Sequence, residues 1–338
     1  MEYYKHHTRK KVQKKILFQF LAGLGVIAAI FFSNNYFVLS SPSFVNTRIQ
    51  VPGYTISASN ANYVIKPQFE NAGSFSEGLA AVKIATKWFF INKNGKAVIR
   101  PQVDSAGSFS QGLARINVNE KEGFINKKGS IVIRPQFDEV REFSEGLAAV
   151  SVKGIAGLSA NGNYGYINKQ GKFIVKPQFG AAGEFSEGFA PVRIIDKGYG
   201  YIDKSGRIVI KPQFYDAYSF REGLASVRGG YINKNGQLVI ESGGYTSGFS
   251  EGLATVQRGE LVGYINKSGV FVIQPQFVNA SEFSQGLAAV SINGKWGYIN
   301  KNGRVVIQPQ FNNALKFSEG LAAVEVGGKW GYIRRPLK

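Results

Sequence analysis

The 338-residue chain contains no cysteine, one methionine and only two histidines. The absence of cysteine excludes disulfide bonds, thiol catalysis and thiolate metal sites. Both histidines, His6 and His7, lie in the N-terminal arm, so the body of the chain has no imidazole to act as a base or a metal ligand. Acidic residues are also scarce, because 22 Asp and Glu oppose 41 Lys and Arg and leave a formal net charge of +19. Such an excess indicates an anionic partner.

The N-terminus combines a basic arm with an apolar run. Residues 1–15 are strongly basic, and residues 16–32 carry no charge. As a helix the run is about 25 Å long, at the short limit for a bilayer core. It is either an uncleaved signal anchor, with the basic arm in the cytoplasm, or a signal peptide cut near 38–40. The length of the run and the poor cleavage site at 33–35 favour the anchor. Both interpretations predict that the rest of the chain is exported, to the periplasm or the cell surface.

The body of the chain consists of eight tandem copies of one sequence motif. The phrase Phe-Ser-Glu-Gly-Leu-Ala, or a close variant, recurs at a spacing near 34 residues, with its glycine at Gly78, Gly112, Gly146, Gly188, Gly223, Gly252, Gly286 and Gly320. A second phrase, Pro-Gln-Phe, keeps the same phase, although Val103 replaces its Phe once and one copy lacks it. The predicted organisation is therefore a linker at 33–61, eight repeats at 62–333 and a basic tail at 334–338.

Each copy predicts β structure. In the seventh, the strand-like runs 287–292, 296–300 and 304–308 are separated by tight turns at 293–294 and 301–303 that contain Asn-Gly. Pro309 then ends the third strand, because proline removes a ladder donor. Each unit is thus a three-stranded antiparallel meander plus a return segment, and the fold class is all-β after one N-terminal transmembrane or signal helix. A single unit cannot bury both its faces, so neighbouring units must stack.

The phrases Lys-Trp-Gly-Tyr-Ile-Asn-Lys-Asn-Gly at 295–303, Val-Ile-Gln-Pro-Gln-Phe at 306–311 and Phe-Ser-Glu-Gly-Leu-Ala at 317–322 resemble the bacterial WG (KWG) repeat. The resemblance covers about four-fifths of the chain and implies a repeat scaffold with no assigned reaction. The Trp-Gly pair itself stands only at 296–297 and 330–331. The aromatic before the glycine is therefore interpreted as a packing preference.

The repeats stack either as an open curved array or as a closed eight-bladed ring. Three strands per unit and unequal spacing favour the open array, since a ring tolerates a defective blade poorly. The surplus strand at 63–65 could instead complete the last unit of a closed propeller. Contact between Tyr63 and Tyr332 would distinguish the ring from the open array.

The repeated Glu of each copy is interpreted as a turn residue, because a catalytic carboxylate is needed once and Gln replaces this one at Gln111 and Gln285. No phosphate loop, metal-loop spacing or serine–histidine pair is present in the repeats, so we expect neither an enzyme nor a cofactor nor a metal site. The basic residues of the second turn and of the strand after it are either solvated residues that discourage edge pairing or a cationic ribbon along one edge of the array. They are Lys93, Lys96, Arg100, Lys127, Lys128, Arg134, Lys169, Lys172, Lys176, Lys204, Arg207 and Lys211. The candidate binding residues are Trp88, Trp296, Trp330, Lys93, Lys127, Lys169, Lys204, Lys234, Lys267 and Lys301.

The sequence therefore predicts a membrane-anchored, exported, non-catalytic scaffold that binds a protein or an anionic envelope polymer. The alternative is a carbohydrate-binding or carbohydrate-processing protein that uses exposed Trp and Tyr rows. Nucleic acid would also suit the charge, but the export signal argues against it.

Overall fold

The computed structural model describes residues 62–153 and 163–336, all within one compact unit. These residues form 30 strands joined by turns, and no helix lies among them. Within these two ranges, accordingly, nothing resembles a helix able to cross a membrane. The predicted anchor at 16–32 and most of the insertion after residue 153 fall outside the described residues.

The strands form eight antiparallel sheets, here called blades, and seven of them are built from consecutive strands. Blade 1 comprises β2 (Asn71–Ala72), β3 (Ala80–Ile84), β4 (Lys87–Ile91) and β5 (Ala97–Ile99), and blade 2 comprises β6 (Ser105–Ser110), β7 (Leu113–Val118), β8 (Lys121–Asn126) and β9 (Ile131–Phe137). Blade 3 comprises β10 (Glu139–Val140), β11 (Leu147–Val152), β12 (Asn163–Asn168) and β13 (Phe173–Phe179), and blade 4 comprises β14 (Ala181–Ala182), β15 (Ala190–Ile194), β16 (Gly198–Ile202) and β17 (Ile208–Phe214). Blade 5 comprises β18 (Ala225–Val227), β19 (Gly230–Ile232) and β20 (Leu238–Glu241), and blade 6 comprises β21 (Leu253–Arg258), β22 (Leu261–Asn266) and β23 (Phe271–Phe277). Blade 7 comprises β24 (Asn279–Ala280), β25 (Leu287–Ile292), β26 (Lys295–Asn300) and β27 (Val305–Phe311). Blade 8 comprises β28 (Asn313–Ala314), β29 (Leu321–Val326), β30 (Lys329–Arg334) and, from the other end of the repeat region, β1 (Tyr63–Phe69).

The chain closes into a ring through β1, which is the outermost strand of blade 8. Tyr63 pairs with Ile333, Ile65 with Tyr332, and Phe69 with Trp330. The open array favoured by the sequence is therefore wrong, and the closed eight-bladed alternative is the one observed. The variation in repeat length is absorbed away from the packed blade faces. The long interval falls in the hairpin of blade 3, and the short one falls mainly in the hairpin of blade 5, where Val227 pairs with Gly230 and both strands have only three residues.

The return segment of each copy also differs from expectation, because it forms a strand. Residues such as Asn71 and Ala72 pair with the strand that follows, at Lys83 and Val82, and make each complete blade four-stranded. This short first strand is innermost in the ring. The fourth strand, which ends in the Pro-Gln-Phe phrase, lies at the rim.

The hydrophobic core is divided into eight clusters, one at each junction between neighbouring blades. At the closing junction, Phe75 of blade 1 packs against Tyr332 of blade 8 with ring centroids 4.8 Å apart. Phe69 and Ile65 of β1 are buried in the same cluster. The two recurrent Phe and the aromatic before Ile thus make the contacts between blades.

The glycine of the Trp-Gly pair is required by a close approach of the rim strand. Trp296 pairs with Phe311 and Tyr298 with Ile307, so extra residues of β27 bulge over Gly297. A Cβ on Gly297 would lie 2.5 Å from the carbonyl oxygen of Ile307 and 2.7 Å from the nitrogen of Pro309. Both distances are far below van der Waals contact, so no side chain fits there.

Blade 1 shows what happens when this glycine is missing. Phe89 occupies the position, and β5 then ends at Ile99 before it reaches the Pro-Gln-Val phrase. The guanidinium of Arg100 lies 5.4 Å from the centroid of the Phe89 ring. The single copy with Val103 in place of Phe is therefore the copy in which the rim strand cannot fold over its neighbour.

Candidate binding surfaces

The blades place their turns on two opposite faces of the ring. Because consecutive strands are antiparallel, the turn after the first strand and the turn after the third strand lie on one face. The first of these turns contains the Ser-Glu-Gly phrase, and the second contains the predicted lysine. The hairpin after the second strand and the connection to the next blade lie on the opposite face.

The Ser-Glu-Gly turn joins each blade to the next. Glu77 has a positive φ of 55°, and its carboxylate accepts hydrogen bonds from the N–H of Gly112 in blade 2 at 3.1 Å. The hydroxyl of Ser76 donates to the carbonyl oxygen of Phe109 at 2.6 Å. The same glycine contact recurs between Gln111 and Gly146, Glu145 and Gly188, Glu187 and Gly223, Glu222 and Gly252, Glu251 and Gly286, Gln285 and Gly320, and Glu319 and Gly78. The last of these contacts closes the circle.

The predicted lysines lie beside these carboxylates. Lys127 of blade 2 pairs with Glu77 of blade 1, with Nζ and Oε2 2.8 Å apart. The same pairing joins Lys93 to Glu319, Lys204 to Glu145, Lys234 to Glu187, Lys267 to Glu222 and Lys301 to Glu251 at 3.0 to 3.2 Å. Lys169 faces Gln111 and donates to its carbonyl oxygen at 2.7 Å. The interpretation of the repeated acid as a backbone-binding turn residue agrees with this geometry, and the lysines hold adjacent blades together.

The electrostatics of the turn favour the ionised acid. Partial burial alone would raise the pKa of Glu77, but the hydrogen bonds from Lys127 and from the N–H of Gly112 outweigh it and hold the pKa below its usual value. The pKa is lowered in the same way, against partial burial, at Glu145, Glu187, Glu222 and Glu319.

The three predicted tryptophans are half-buried between blades. Trp88, Trp296 and Trp330 each pack against a different inter-blade cluster at the start of the third strand. No exposed tryptophan row is formed at these positions. A binding role for the predicted Trp and Lys residues stays a prediction.

A second set of basic side chains, separate from the lysines of the turns, lies at the rim. Five consecutive blades expose a basic side chain at the residue before Pro-Gln, within the outermost strand or, for Arg100, directly after it. These residues, here called the rim arc, are Lys66, Arg100, Arg134, Lys176 and Lys211. None of them forms a salt bridge with another described residue. The three remaining blades have Glu241, Gln274 and Gln308 at the same place.

The inner ends of the blades bring unlike charges together. Arg221 of blade 5 pairs with Glu282 of blade 7 at 2.6 Å, which is possible for non-neighbouring blades only across the interior of the ring. Lys316 of blade 8 lies 3.6 Å from Glu282. Burial, and then the nearby charge of Glu184, raises the pKa of Glu142. The interior therefore brings Arg221 and Lys316 to Glu282 and places Glu142 near Glu184. Among the residues resolved here in detail, no group of three acids or histidines is arranged to bind a metal.

Sequence reasoning missed the interior charges. It placed four members of the rim arc in the predicted cationic ribbon, together with the lysines of the turn, but it did not separate the two sets and did not select the arc as a binding site. The arc can be separated by aligning the copies with one another, because a basic residue precedes Pro-Gln in five consecutive copies.

The closed ring of eight small sheets defines a β-propeller-like repeat protein, a rigid scaffold suited to protein binding. The model of the WG containing repeat matches the chain eight times, at residues 59–88, 88–121, 123–154, 164–197, 199–228, 230–261, 263–296 and 296–330. The chain belongs to the WG-repeat family, as its motifs predicted.

Solved structures show the same fold at low sequence identity. The computationally designed Ika8 protein is 10% identical with a TM-score of 0.55, over 80% of this chain and 96% of Ika8. A eukaryotic initiation factor is 12% identical with a TM-score of 0.51, over 77% of this chain and 82% of that one. A search of curated proteins finds no match.

Proposed function

We propose that the protein is a non-catalytic scaffold, tethered to a membrane by residues 16–32, whose exported ring binds an anionic envelope polymer or an acidic protein surface. The observation that carries the proposal is the rim arc. It supplies a basic side chain on each of five consecutive blades, none of them neutralised by a described acidic residue.

The rim arc can be explained by protection of the strand edges or by ligand binding, and the positions of its five cations distinguish the two explanations. Charged side chains on edge strands prevent pairing with other chains, and every rim strand here has a free outer edge. That need applies equally to all eight blades, yet Gln274 and Gln308 carry no charge. Protection of the edges therefore does not explain why positive charge is confined to one side of the rim.

The consequence is a cationic belt around five-eighths of the circumference. Ligands with closely spaced negative charge release counterions when such a belt neutralises them, so their binding weakens as salt rises. The paired lysines of the Ser-Glu-Gly face add little, because each of the six is already matched by a carboxylate.

The test uses the full chain and two polymers that differ in charge, dextran sulfate and neutral dextran. We expect salt-sensitive binding of dextran sulfate only. Arg134→Gln with Lys176→Gln, which copies the residue found in blades 6 and 7, should weaken binding by about tenfold. The matched control is Lys87→Gln with Lys197→Gln, which removes the same charge from exposed hairpins on the face opposite the Ser-Glu-Gly turns.

Equal losses in the two double variants would show that only net charge matters, and the rim arc would be the wrong surface. Failure of dextran sulfate to bind at all would refute the anionic polymer and leave an acidic protein. The tether is tested separately: deletion of residues 1–32 should move the protein from the membrane fraction to the soluble fraction. A mature N-terminus near residue 40 would instead support cleavage.

A further inference from the structure

Both ends of the described repeat region lie on the face of the ring that carries the Ser-Glu-Gly turns. β30 ends on this face, and β1 begins there because it runs antiparallel to β30. The N–H of Arg334 donates to the carbonyl oxygen of Asn62 at 3.2 Å, so the two ends meet within blade 8. The segment that precedes residue 62 therefore joins the ring on this face.

Most basic side chains of this face are paired. In the turns after the third strands, six lysines contact the repeated glutamates, Arg207 contacts Asp203 at 2.7 Å, and Lys169 contacts Gln111. Six other basic side chains, in these turns and at the end of β30, form no salt bridge with a described residue. They are here called the basal arc: Lys96, Lys128, Lys172, Arg304, Arg334 and Arg335.

The basal arc surrounds the point at which the chain enters the ring. Its members belong to blades 7, 8, 1, 2 and 3, which are consecutive around the closed ring, and the two chain ends lie in blade 8. At the equivalent place in blades 4, 5 and 6, Arg207 is paired with Asp203, and Gln237 and Val270 are uncharged. A structural requirement of the repeat would apply to all eight blades, so it does not explain this distribution.

The opposite face has no comparable surplus of positive charge. There Glu70 pairs with Lys329 and Asp138 with Lys121, each at 2.8 Å. Its hairpins contain further acids, namely Glu120, Asp196 and Glu260. The turns after the third strands contain one acid, Asp203. The interior does not cancel their surplus, because the turns after the first strands add three acids and three basic residues besides the paired glutamates.

We propose that the Ser-Glu-Gly face lies against an anionic lipid surface, with the basal arc in contact with the phosphate headgroups. The inference rests on the membrane tether of the proposed function. Each basic side chain close to an anionic leaflet strengthens association about fivefold, so several acting together hold one face of the ring to the bilayer. In this orientation the rim arc remains free at the circumference for its own ligand.

The position of the basal arc favours a lipid surface over a soluble polyanion. The tether keeps the ring near the bilayer, but residues 33–61 span up to about 100 Å when fully extended, so the tether does not set which face meets the lipid. The charges that can set it are those around the attachment point, which meet the bilayer first. A soluble polymer has no reason to prefer that part of the ring.

The test measures which face of the ring is close to the lipid. Because the chain has no cysteine, Asn94→Cys and Thr86→Cys place a single fluorophore on opposite faces of blade 1, both at exposed positions. The labelled full chain is reconstituted in phosphatidylcholine vesicles, with or without about one-third phosphatidylglycerol, that carry an acceptor on their headgroups. We expect stronger energy transfer from position 94 than from position 86 in the anionic vesicles, and no difference at high salt or in neutral vesicles.

Lys128→Gln with Lys172→Gln and Arg304→Gln should abolish this difference. Loss of three charges weakens the contact by on the order of a hundredfold, and Gln170 and Gln237 show that the ring accepts glutamine at these positions. An unchanged thermal unfolding temperature would confirm that the triple variant is folded.

The matched control is Lys153→Gln with Lys197→Gln and Arg258→Gln, which removes three exposed charges from the face opposite the Ser-Glu-Gly turns and should keep the difference between the labels. The rim variant Arg134→Gln with Lys176→Gln should keep it as well. Loss of the difference in either of these variants would overturn the assignment to the basal arc.

Flotation of the same samples separates this inference from the tether. If the chain floats with neutral vesicles but its two labels transfer equally in anionic ones, the tether holds and the inference is overturned. If the chain does not float with neutral vesicles, the tether is wrong. Salt-sensitive flotation with anionic vesicles alone, lost in the triple variant of the basal arc, would then still support the lipid-facing surface, and no flotation with either would overturn it.

Discussion

Replacement of Glu187 tests how neighbouring blades are held together. Its carboxylate, in blade 4, accepts the N–H of Gly223 in blade 5 at 3.0 and 3.1 Å and pairs with Lys234 at 3.0 Å. Glu187→Gln should keep the first contact, because Gln111 makes the same one at 2.9 Å, and lose only the ion pair. We expect the free energy of unfolding to fall by about 0.2 to 1 kcal/mol.

Glu187→Ala should cost more, because it also leaves the half-buried N–H of Gly223 without its acceptor. A further loss of about 1 to 2 kcal/mol is expected. Urea denaturation followed by circular dichroism at neutral pH measures both values. In thermal unfolding, each kcal/mol corresponds to a shift of about 2 to 4 °C for a domain of this size class.

Gln111 supplies the matched control within the same chain. Gln111→Ala removes only the acceptor for Gly146 and should equal the difference between the two Glu187 variants. Gln111→Glu should restore the missing ion pair and stabilise the ring by up to about 1 kcal/mol, because Lys169 already lies 2.7 Å from the Gln111 carbonyl oxygen. Equal costs for Glu187→Gln and Glu187→Ala, or destabilisation by Gln111→Glu, would refute this reasoning.

Three further outcomes follow from the repeated contacts. Gly297→Ala should lower the free energy of unfolding, measured by urea denaturation, by about 3 kcal/mol, because its Cβ would lie 2.5 Å from the Ile307 carbonyl oxygen. The control Gly294→Ala places its Cβ near no atom within 4 Å and should lower the free energy of unfolding by only about 1 to 2 kcal/mol, because of its positive φ. Equal losses in the two variants would contradict the close approach at Gly297. Tyr298→Phe should cost about 1 kcal/mol, since its buried hydroxyl donates to the carbonyl oxygen of Leu315 at 2.7 Å, and no loss would show that this bond contributes nothing. Stability should fall in acid, because the pKa values of Glu77, Glu145, Glu187, Glu222 and Glu319 are lowered in the folded protein. Their contribution is complete above the unfolded pKa near 4.5 and is lost as the pH falls through the lower folded values, so urea midpoints that stay constant from pH 7 to below the folded values would contradict it.

Much of the fold was predictable because its determinants are local. Tight turns with a positive φ, such as Asn293-Gly294 and the turn that ends at Gly303, form the hairpins, and the recurrent Phe residues determine which side chains face the next blade. The family resemblance, the eight copies and the all-β class are confirmed. The two-residue inner strands were not predicted, since a pair such as Asn71 and Ala72 carries no periodicity and becomes a strand only when the ring positions it.

Closure of the ring could not be settled from spacing. The sequence argument treated a long or short repeat as a defective blade. In the structure, the length differences fall in the hairpins of blades 3 and 5, whereas packed residues of both blades, such as Phe143 and Phe220, remain buried. The feature that did indicate closure was the surplus strand at 63–65, because an edge strand whose partner is missing nearby must find it elsewhere.

The pairing of the turn lysine with the repeated glutamate was also not predictable from the sequence. Lys127 and Glu77 belong to adjacent copies and are 50 residues apart, and the two copies with Gln keep a cation at the lysine position, so no compensating change reveals the pair. In a repeat ring, a residue present in every copy is explained by a contact that every junction makes. A ligand that binds once needs positions at which one part of the ring differs from the rest. The +19 charge is therefore informative only after the paired lysines are set aside, and the rim arc is the place where binding should be sought first.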